Sequence, residues 1–188
     1  MTWAAVEHGP GVEVPNPVVI VMGVSGSGKS TIAEALAGQL HWPFQEGDAL
    51  HPPGNVQKMH AGVPLTDEDR GPWLAAVRAW LDARVGAGEP GLITCSALKR
   101  AYRNMLTGGR PQVRLLYLRG SESVLERRLE ARAGHFMPAS LLKSQLETLE
   151  EPGPDERPIV IDVDGSQAEI VARALDALRS ICPKADPA

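Results

Sequence analysis

The sequence has few of the features that would place a chain outside the cell or in a membrane. It contains only two cysteines, Cys95 and Cys182, so it offers no disulfide framework, and we expect a reducing, cytoplasmic compartment. The longest strongly apolar run, residues 18–24, is far shorter than the ~20 residues that a membrane-spanning helix needs. Residues 1–16 lack the basic and apolar regions of a secretory signal. We therefore expect no membrane partner.

Charge of one sign is also scarce. The formal net charge is −4, and the 19 lysines and arginines form no basic block, so we expect no nucleic-acid partner. With 43% hydrophobic and 22% charged residues, the composition is that of an ordinary globular domain. The length of 188 residues suits one domain. We expect a single domain at residues 17–182, a flexible leader at 1–16 and a flexible tail at 183–188.

What the sequence does contain is an alternation of strand and helix patterns. Strands are predicted at residues 17–22, 43–46, 91–95, 113–118 and 158–162. Helices are predicted at residues 30–40, 66–85, 97–106, 121–132, 138–150 and 167–181. Strands separated by helices predict βαβ units and a mostly parallel sheet covered on both faces, which is an α/β fold. Ligands in such folds bind at the carboxyl ends of the strands.

A phosphate-binding loop follows the first predicted strand. Residues 23–30 match the GxxxxGK[ST] pattern and lie directly before a predicted helix. Backbone N–H groups and the helix N-terminus would then face the phosphates of ATP, with Lys29 reaching the β- and γ-phosphates and Ser30 ligating Mg²⁺. An empty glycine-rich turn is disfavoured by eight matching positions in the right context. The expected nucleotide contacts are Gly23, Val24, Ser25, Gly26, Ser27, Gly28, Lys29, Ser30 and Thr31.

An acidic residue lies at the end of the second predicted strand instead of the third. The third strand ends in Thr94, Cys95 and Ser96, without a carboxylate. Asp48 is therefore the candidate that accepts the proton of an acceptor hydroxyl or holds a magnesium-bound water. An ordinary turn or N-cap aspartate is the alternative, which the neighbouring phosphate loop makes less favoured.

Other polar residues stay ambiguous from spacing alone. His51 and Lys58 either contact an acidic or hydroxylated substrate or lie in solvent. Arg70 either pairs with the acids at 67–69 or clamps a carboxylate with its planar guanidinium. Ser96, at the start of a predicted helix, either caps that helix or helps its N–H groups bind an anion.

Two arginines favour a lid at about residues 121–150. Arg128 and Arg132 are four residues apart and share one helix face before a break at residues 133–136. Guanidinium groups there could neutralise charge on the transferred phosphoryl group, and a lid could exclude water. Exposed ion pairs with the glutamates of the same helix are the alternative.

The order of these motifs resembles the bacterial gluconokinases of the thermoresistant type. The resemblance covers about residues 18–181, and its segments 48–58 and 69–73 are more specific than the phosphate loop. After the phosphate loop, the motifs that carry it are Glu46-Gly-Asp48-Ala-Leu-His51-Pro, Asn55-Val-Gln-Lys58-Met, Pro64-Leu-Thr-Asp-Glu-Asp69-Arg70-Gly-Pro-Trp73-Leu, Cys95-Ser96-Ala-Leu-Lys99, Tyr102-Arg103, Arg132-Ala-Gly134-His135-Phe136 and Leu149-Glu-Glu-Pro152.

The resemblance implies a fold, a reaction and an assembly. The fold would be that of the nucleoside-monophosphate kinases, with three layers, a five-stranded parallel sheet of order 2-3-1-4-5 and a helical lid. The reaction would transfer phosphate from ATP to D-gluconate with Mg²⁺, in a homodimer. A shikimate, adenylylsulfate or nucleotide kinase is the nearest rival, and an ATP-sensing regulator or a nucleic-acid-dependent ATPase is a more distant one.

The residue patterns above give the candidate site residues, and the resemblance supports five of them, which match family positions: Asp48, His51, Lys58, Arg70 and His135. Lys29, Asp48, Arg128 and Arg132 would be catalytic, and Ser30 and Asp48 would hold the metal. One or more of Lys58, Arg70 and Arg103 would bind the carboxylate of the substrate, because a buried carboxylate needs a charged partner. The expected substrate contacts are Asp48, His51, Lys58, Arg70, Ser96, Lys99, Arg103 and His135.

Overall fold

The computed structural model describes residues 14–130 and 139–182. Residues 1–13 and 183–188, and the predicted lid residues Arg132 and His135, lie outside the described residues.

A five-stranded parallel sheet forms the centre of the fold. Its order is β2-β3-β1-β4-β5, which confirms the order that the resemblance implied. In register, Ile20 of the central strand lies opposite Ile93 on one side and Leu115 on the other. The strands are β1 (Val18–Met22), β2 (Phe44–Gln45), β3 (Gly91–Thr94), β4 (Val113–Arg119) and β5 (Ile159–Asp162).

Helices connect the strands and cover both faces of the sheet. They are α1 (Lys29–Leu40), α2 (Pro53–His60), α3 (Asp67–Ala87), α4 (Arg100–Thr107), α5 (Glu122–Glu130), α6 (Ala139–Thr148) and α7 (Gln167–Ile181). Two short 3₁₀ helices lie at Gly47–Leu50 and Pro154–Glu156. Among the described residues, no helix combines the length and the apolar composition that a bilayer span requires.

The sequence patterns located most of these helices. The bounds of α7 are as predicted, and the predicted N-cap of α3 is a capping box, in which Thr66 and Asp69 exchange side-chain and backbone hydrogen bonds. Helix α2 was not predicted, and α4 begins three residues later than expected, at Arg100. Pro53 at the first position of α2 is the start signal that the sequence carried for it.

Side chains of β1 alternate between two hydrophobic cores, so all five of its residues are buried. Val19 and Val21 pack in the core beneath α1 and α7, whereas Val18, Ile20 and Met22 pack in the core beneath α3 and α4. Burial on both faces explains the continuous apolar run of this strand, and it holds the loop that follows β1 at the middle of the sheet edge.

A close backbone contact joins the end of β3 to the 3₁₀ helix after β2. The Gly47 N–H donates to Thr94 Oγ1 at 2.9 Å, and the Trp73 indole N–H donates to the Gly47 carbonyl at 2.8 Å. The Thr94 hydroxyl in turn donates to the Glu46 carboxylate. A Cβ atom on residue 47 would lie 1.8 Å from the Thr94 carbonyl oxygen, so only glycine fits here. This contact places Asp48 at the carboxyl edge of the sheet.

We expect Gly47→Ala to destabilise the protein, since the added methyl group collides with backbone rather than with a side chain that could move. The free energy of unfolding should fall by at least about 1–3 kcal/mol, the usual range for an overpacked core. Urea denaturation measures this change. The control is Gly38→Ala in α1, where a Cβ meets nothing within 4 Å and helix propensity should make the change stabilising. A Gly47→Ala variant as stable as the unmodified protein would contradict the close contact.

Candidate active site

The nucleotide loop at residues 23–30 joins β1 to α1 at the carboxyl edge of the sheet. Its three glycines have positive φ angles of 144°, 81° and 91°, which curl the backbone around the Lys29 side chain. The Lys29 ammonium donates to the Val24 carbonyl at 3.1 Å. The first-turn N–H groups of α1 have no intrahelical acceptors, and the helix dipole makes this end positive. The loop therefore presents N–H donors and a cation to one centre.

The residues of this loop fit the phosphates of a nucleotide. The Ser27 hydroxyl is buried in the loop and has no hydrogen-bond partner among the described residues. A cavity of about 150 Å³ adjoins the loop and is lined by Gly26, Gly28, Thr31, Ile32, Arg128 and Gln167. Such a concave, N–H-lined surface at a helix N-terminus is suited to an anionic phosphate chain.

Arg128 lies beside the nucleotide loop, whereas its neighbour Arg127 does not. The Arg128 guanidinium donates to the Gly165 carbonyl at 3.0 Å and lies 3.5 Å from the point where a Cβ of Gly28 would be. Arg127 donates to the Ser123 carbonyl within its own helix. The structure thus brings Arg128 to the edge of the nucleotide cavity, held by the loop that follows β5.

The acceptor side meets the nucleotide side around Cys95, directly after β3. Burial raises the pKa of the Cys95 thiol to about 12, so the thiol stays protonated at neutral pH. Asp48 raises the pKa of Cys95 further, while Lys29 and Arg70 lower it. Because all three charges act on one buried thiol, they lie around the same end of β3. Sequence reasoning placed Lys29 and Asp48 after predicted strands and Arg70 in the helix predicted at residues 66–85, and the structure brings the three together.

His51 is held in a fixed orientation by aromatic stacking and an amide. Its ring stacks on Trp73 with a centroid separation of 4.4 Å and an angle of 12° between the planes. The buried Asn55 amide donates to the Asp69 carbonyl at 2.7 Å and lies 3.3 Å from His51 Nδ1. With its donor facing Nδ1, Asn55 favours the imidazole tautomer that carries its proton on Nε2.

The charge of His51 is set by its surroundings. Burial lowers the pKa of His51 below its ordinary value of 6.5, Asp48 opposes this by raising the pKa, and Arg70 lowers the pKa. His51 is therefore a neutral hydrogen-bond donor at neutral pH, between an anion and a cation.

Two of the lysines predicted to contact the substrate form ion pairs with aspartates. Lys58 donates to Asp69 at 2.6 Å, and Lys99 donates to both oxygens of Asp67 at 2.7 Å. Both lysines are partly exposed at the rim. Arg70, in contrast, makes no salt bridge with any carboxylate among the described residues, although it acts electrostatically on His51 and Cys95. Arg70 is thus the predicted carboxylate ligand that forms no direct ion pair in the described part of the chain, although it also acts electrostatically on Asp67, whose carboxyl pKa is lowered by the Lys99 hydrogen bond and also by Arg70.

The structure does not support Arg103 as a substrate contact. Its side chain is 0% exposed, and its guanidinium donates to Glu156 at 2.6 and 3.0 Å. The same group donates to the carbonyls of Ala97 and Leu98 at 3.1 Å each. A guanidinium that is buried and bonded in this way stabilises the loop before α4, and it does not face the cleft.

Ser96 is likewise not at the start of a helix. Helix α4 begins at Arg100 and its N-cap is Lys99, so both interpretations of Ser96, as a cap and as part of an anion-binding helix end, are wrong. Ser96 instead lies in the loop between β3 and α4, where it is partly exposed. The hydroxyl of Thr94, two residues earlier, is hydrogen-bonded to Glu46 and Gly47.

Sequence reasoning gave no role to three residues that shape the site. Trp73 orients His51 and Gly47, Asn55 fixes the His51 ring, and Gln145 contacts the nucleotide loop at Ser25. Trp73 and Asn55 stand in the quoted acceptor-side motifs, so a signal existed for them. Gln145 carries no signal, since its contact spans 120 residues of sequence.

Known proteins share this sequence and this architecture. The family model described as an AAA domain matches residues 18–152. A gluconokinase of Gluconobacter oxydans is 53% identical over 161 residues, covering 86% of this chain and 89% of its own length. The thermoresistant gluconokinase of Escherichia coli K12 is 45% identical over 163 residues, covering 86% and 93%. The chain belongs to the gluconokinase family.

Solved structures agree with membership of the gluconokinase family. The crystal structure of a gluconokinase from Sinorhizobium meliloti 1021 superposes with a TM-score of 0.82 at 50% identity, covering 90% of this chain and 95% of that one. A shikimate kinase from Aquifex aeolicus reaches a TM-score of 0.54 at 15% identity, which shows a shared fold alone. The P-loop kinase fold and the gluconokinase resemblance are thereby confirmed.

The two charges beside His51 should shift its pKa in opposite directions. Asp48→Asn removes the anion that stabilises the imidazolium, so the pKa of His51 should fall further. Arg70→Gln removes a cation, so the pKa should rise. An NMR titration of the imidazole Cε1–H measures both shifts. Glu89→Gln, in an exposed pair with Arg84, is the control and should leave the midpoint unchanged. Shifts of the same sign in both active-site variants would refute the placement of His51 between them.

Proposed function

We propose that this protein transfers the γ-phosphoryl group of ATP to D-gluconate and releases ADP and 6-phospho-D-gluconate. The gluconokinases that it matches at 53% and 45% identity support this reaction. The observation that carries it is the Arg70 guanidinium, which forms no direct ion pair among the described residues and acts on the Cys95 thiol at the end of β3 together with Asp48 and Lys29. A substrate with both a carboxylate and a reactive hydroxyl matches that combination of charges. Adenylylsulfate and nucleotides carry no carboxylate. Shikimate carries both groups, and it is not favoured because the shikimate kinase that superposes on this chain is only 15% identical to it.

On the acceptor side, Arg70 would bind the gluconate carboxylate through two parallel hydrogen bonds, which the planar guanidinium favours. The neutral His51 would donate from Nε2 to a substrate hydroxyl. Asp48, exposed at the mouth of the cleft, would orient the reacting hydroxyl and accept its proton. Lys58, Lys99 and Ser96 would contact hydroxyl groups at the rim. His135 lies outside the described residues and remains a prediction from the sequence.

On the nucleotide side, the loop amides and Lys29 would bind the phosphates. Lys29 and Arg128 would stabilise the negative charge of the transferred group, and Arg132, outside the described residues, remains a prediction. The protein forms no covalent bond to the substrate in this reaction, so positioning and electrostatic stabilisation would supply most of the rate enhancement.

We further propose that Mg²⁺ accompanies ATP and is held by Ser30 and, through water, by Asp48. The described residues contain no group of three or more His, Cys, Asp or Glu side chains that could hold a metal ion. Few protein ligands suit magnesium, which keeps several waters and binds substrate phosphates in kinases. When bound, the ion would neutralise phosphate charge.

A homodimer in the cytoplasm is also part of the proposal. The family resemblance supports the dimer. Two free cysteines, of which Cys95 is buried and protonated, are compatible with a reducing compartment.

Acceptor screening tests the proposed reaction directly. ADP release in a coupled assay with ATP and Mg²⁺ should rise strongly with D-gluconate, which offers a carboxylate to Arg70 and a hydroxyl to Asp48. It should stay near the background rate with shikimate, adenylylsulfate, AMP or no acceptor. Lys29→Ala serves as the inactive control. Greater stimulation by another acceptor would identify that compound as the substrate instead of D-gluconate. If no acceptor stimulated ADP release, the proposed reaction would be refuted.

Two variants should separate chemistry from acceptor binding. Asp48→Asn should lower kcat by on the order of 10²–10⁴-fold with a small change in the KM for gluconate, since it removes the base. Arg70→Ala should raise the KM for gluconate by about 10- to 100-fold, the worth of a hydrogen-bonded charge pair. Arg70→Lys should recover only part of this loss, because it lacks the planar fork.

Steady-state kinetics with a matched control decides the role of Arg70. Arg78→Ala lies on the same helix and removes an exposed arginine that pairs with Asp82, so its KM for gluconate should stay normal. An Arg70→Ala variant that loses stability but keeps its KM would show that Arg70 is structural.

A further inference from the structure

The apex of the nucleotide loop is hydrogen-bonded to a side chain that lies 120 residues away in sequence. The Ser25 backbone N–H donates to Gln145 Oε1 at 2.7 Å, and Gln145 Nε2 donates to Ser25 Oγ at 3.0 Å. One side-chain amide of α6 thus satisfies two groups of Ser25. A two-point contact fixes orientation as well as distance, so it restrains the rotation of the Ser25 backbone.

The same peptide unit is held from its other side by Lys29. The carbonyl that accepts from the Lys29 ammonium at 3.1 Å belongs to Val24, and it is joined to the Ser25 N–H in one planar peptide. Gln145 therefore binds the N–H end of this peptide while Lys29 binds its carbonyl end. A flip of the Val24–Ser25 peptide would turn its carbonyl away from Lys29, and Gln145 opposes that flip.

The neighbouring residue Gly26 is closely approached by helix α5. A Cβ on Gly26 would lie 2.8 Å from Leu129 Cγ and 3.2 Å from the Leu125 carbonyl of α5. The loop apex therefore lies between α5 on one side and Gln145 of α6 on the other.

The chain that follows Gln145 runs directly to the acceptor side. Glu150 donates its N–H to the Leu98 carbonyl at 2.9 Å, and its carboxylate accepts the Arg100 N–H at 2.5 Å. Residues 98–100 include Lys99, which stands at the rim of the acceptor site. Residues 145–150 thus bridge the nucleotide loop and the acceptor-side loop within five residues of sequence.

We propose that Gln145 is a positioning residue for phosphoryl transfer, which holds the Val24–Ser25 peptide at the nucleotide and couples the nucleotide loop to the acceptor-side loop. The inference rests on the proposed function for the identity of the two ligands. It assigns Gln145 no contact with the reacting atoms, because its polar atoms are bonded to Ser25. Its effect would come through the orientation of the loop and of Lys29.

The test uses Gln145→Leu, an apolar side chain of similar size that removes both hydrogen bonds. We expect kcat to fall by on the order of 10- to 100-fold, the cost of a small misplacement near the reacting groups. The KM for gluconate at saturating ATP should rise only a few-fold, because the acceptor contacts are intact and only the coupling to the nucleotide loop is lost. The control is Glu147→Leu, an exposed position two residues along the same helix, which should keep the normal kcat. A kcat for Gln145→Leu within twofold of the unmodified protein would overturn the proposal.

A second substitution distinguishes positioning from general loss of structure. In Gln145→Glu the carboxylate still accepts from the Ser25 N–H and from the Ser25 hydroxyl, but it adds negative charge beside the phosphates. We expect its kcat to exceed that of Gln145→Leu and its KM for ATP to exceed that of the unmodified protein. Thermal unfolding is measured for each variant, and Gln145→Met replaces Gln145→Leu if the latter does not fold. Activity that follows the unfolding temperature alone across all variants would overturn the proposal.

The coupling is measured by calorimetric binding of gluconate with and without a non-hydrolysable ATP analogue. The unmodified protein should bind gluconate more tightly with the analogue, and Gln145→Leu should reduce that ratio by at least about threefold. An unchanged ratio would overturn the coupling. Binding of the ATP analogue alone, compared between the two proteins, separates the role of Gln145 from the proposed reaction. If the unmodified protein does not phosphorylate gluconate, the proposed reaction fails. Weaker analogue binding by Gln145→Leu would still support the contact between Gln145 and the nucleotide loop.

Discussion

The contact between Gly47 and the Thr94 carbonyl oxygen determines where the acceptor side of the cleft stands. β2 has only two residues, so the sheet alone would hold the following segment weakly. The missing Cβ lets the 3₁₀ helix lie on the end of β3, and the hydrogen bonds from Gly47 and Trp73 keep it there. Asp48 and His51 follow directly, and Trp73 reaches both the Gly47 carbonyl and the His51 ring. One backbone contact thereby sets the positions of the proposed base and its neighbour.

The distribution of ion pairs decides which cation remains for the substrate. Asp69 and Asp67 neutralise Lys58 and Lys99 at the rim, where exposed pairs are weak and can rearrange. Glu156 neutralises Arg103 in the interior, where breaking such a pair would leave a buried charge. Arg70 forms no direct ion pair among the described residues, although it acts electrostatically on Asp67, so an incoming carboxylate can accept hydrogen bonds from its guanidinium. The pattern of ion pairs thus explains why Arg103 is not a substrate contact and why Arg70 is the best candidate ligand for the carboxylate.

Much of the fold could be predicted because its signals are local. The buried run of β1, the loop at residues 23–30, the capping box at Thr66 and the bounds of α7 each depend on a few adjacent residues. Helix α2 and the late start of α4 escaped prediction. Prolines obscured α2, and the helix-favouring residues Ala97 and Leu98 lie before α4, where Ala97 has a non-helical φ of 45°. The roles of Arg103 and Gln145 could not be predicted either, because their partners lie 53 and 120 residues away.

The sequence by itself determined the chemistry that is available: a loop for phosphates, an acid at a strand end, several cations and the motif order of the gluconokinase family. These features follow from residue types and from short spacings along the chain, which do not depend on how distant segments pack. Only the tertiary structure decided which of these groups face one another, which cations are neutralised by carboxylates, and that Gln145 of α6 contacts the nucleotide loop. Such choices depend on burial and on contacts between segments distant in sequence, and packing of the sheet against its helices sets both.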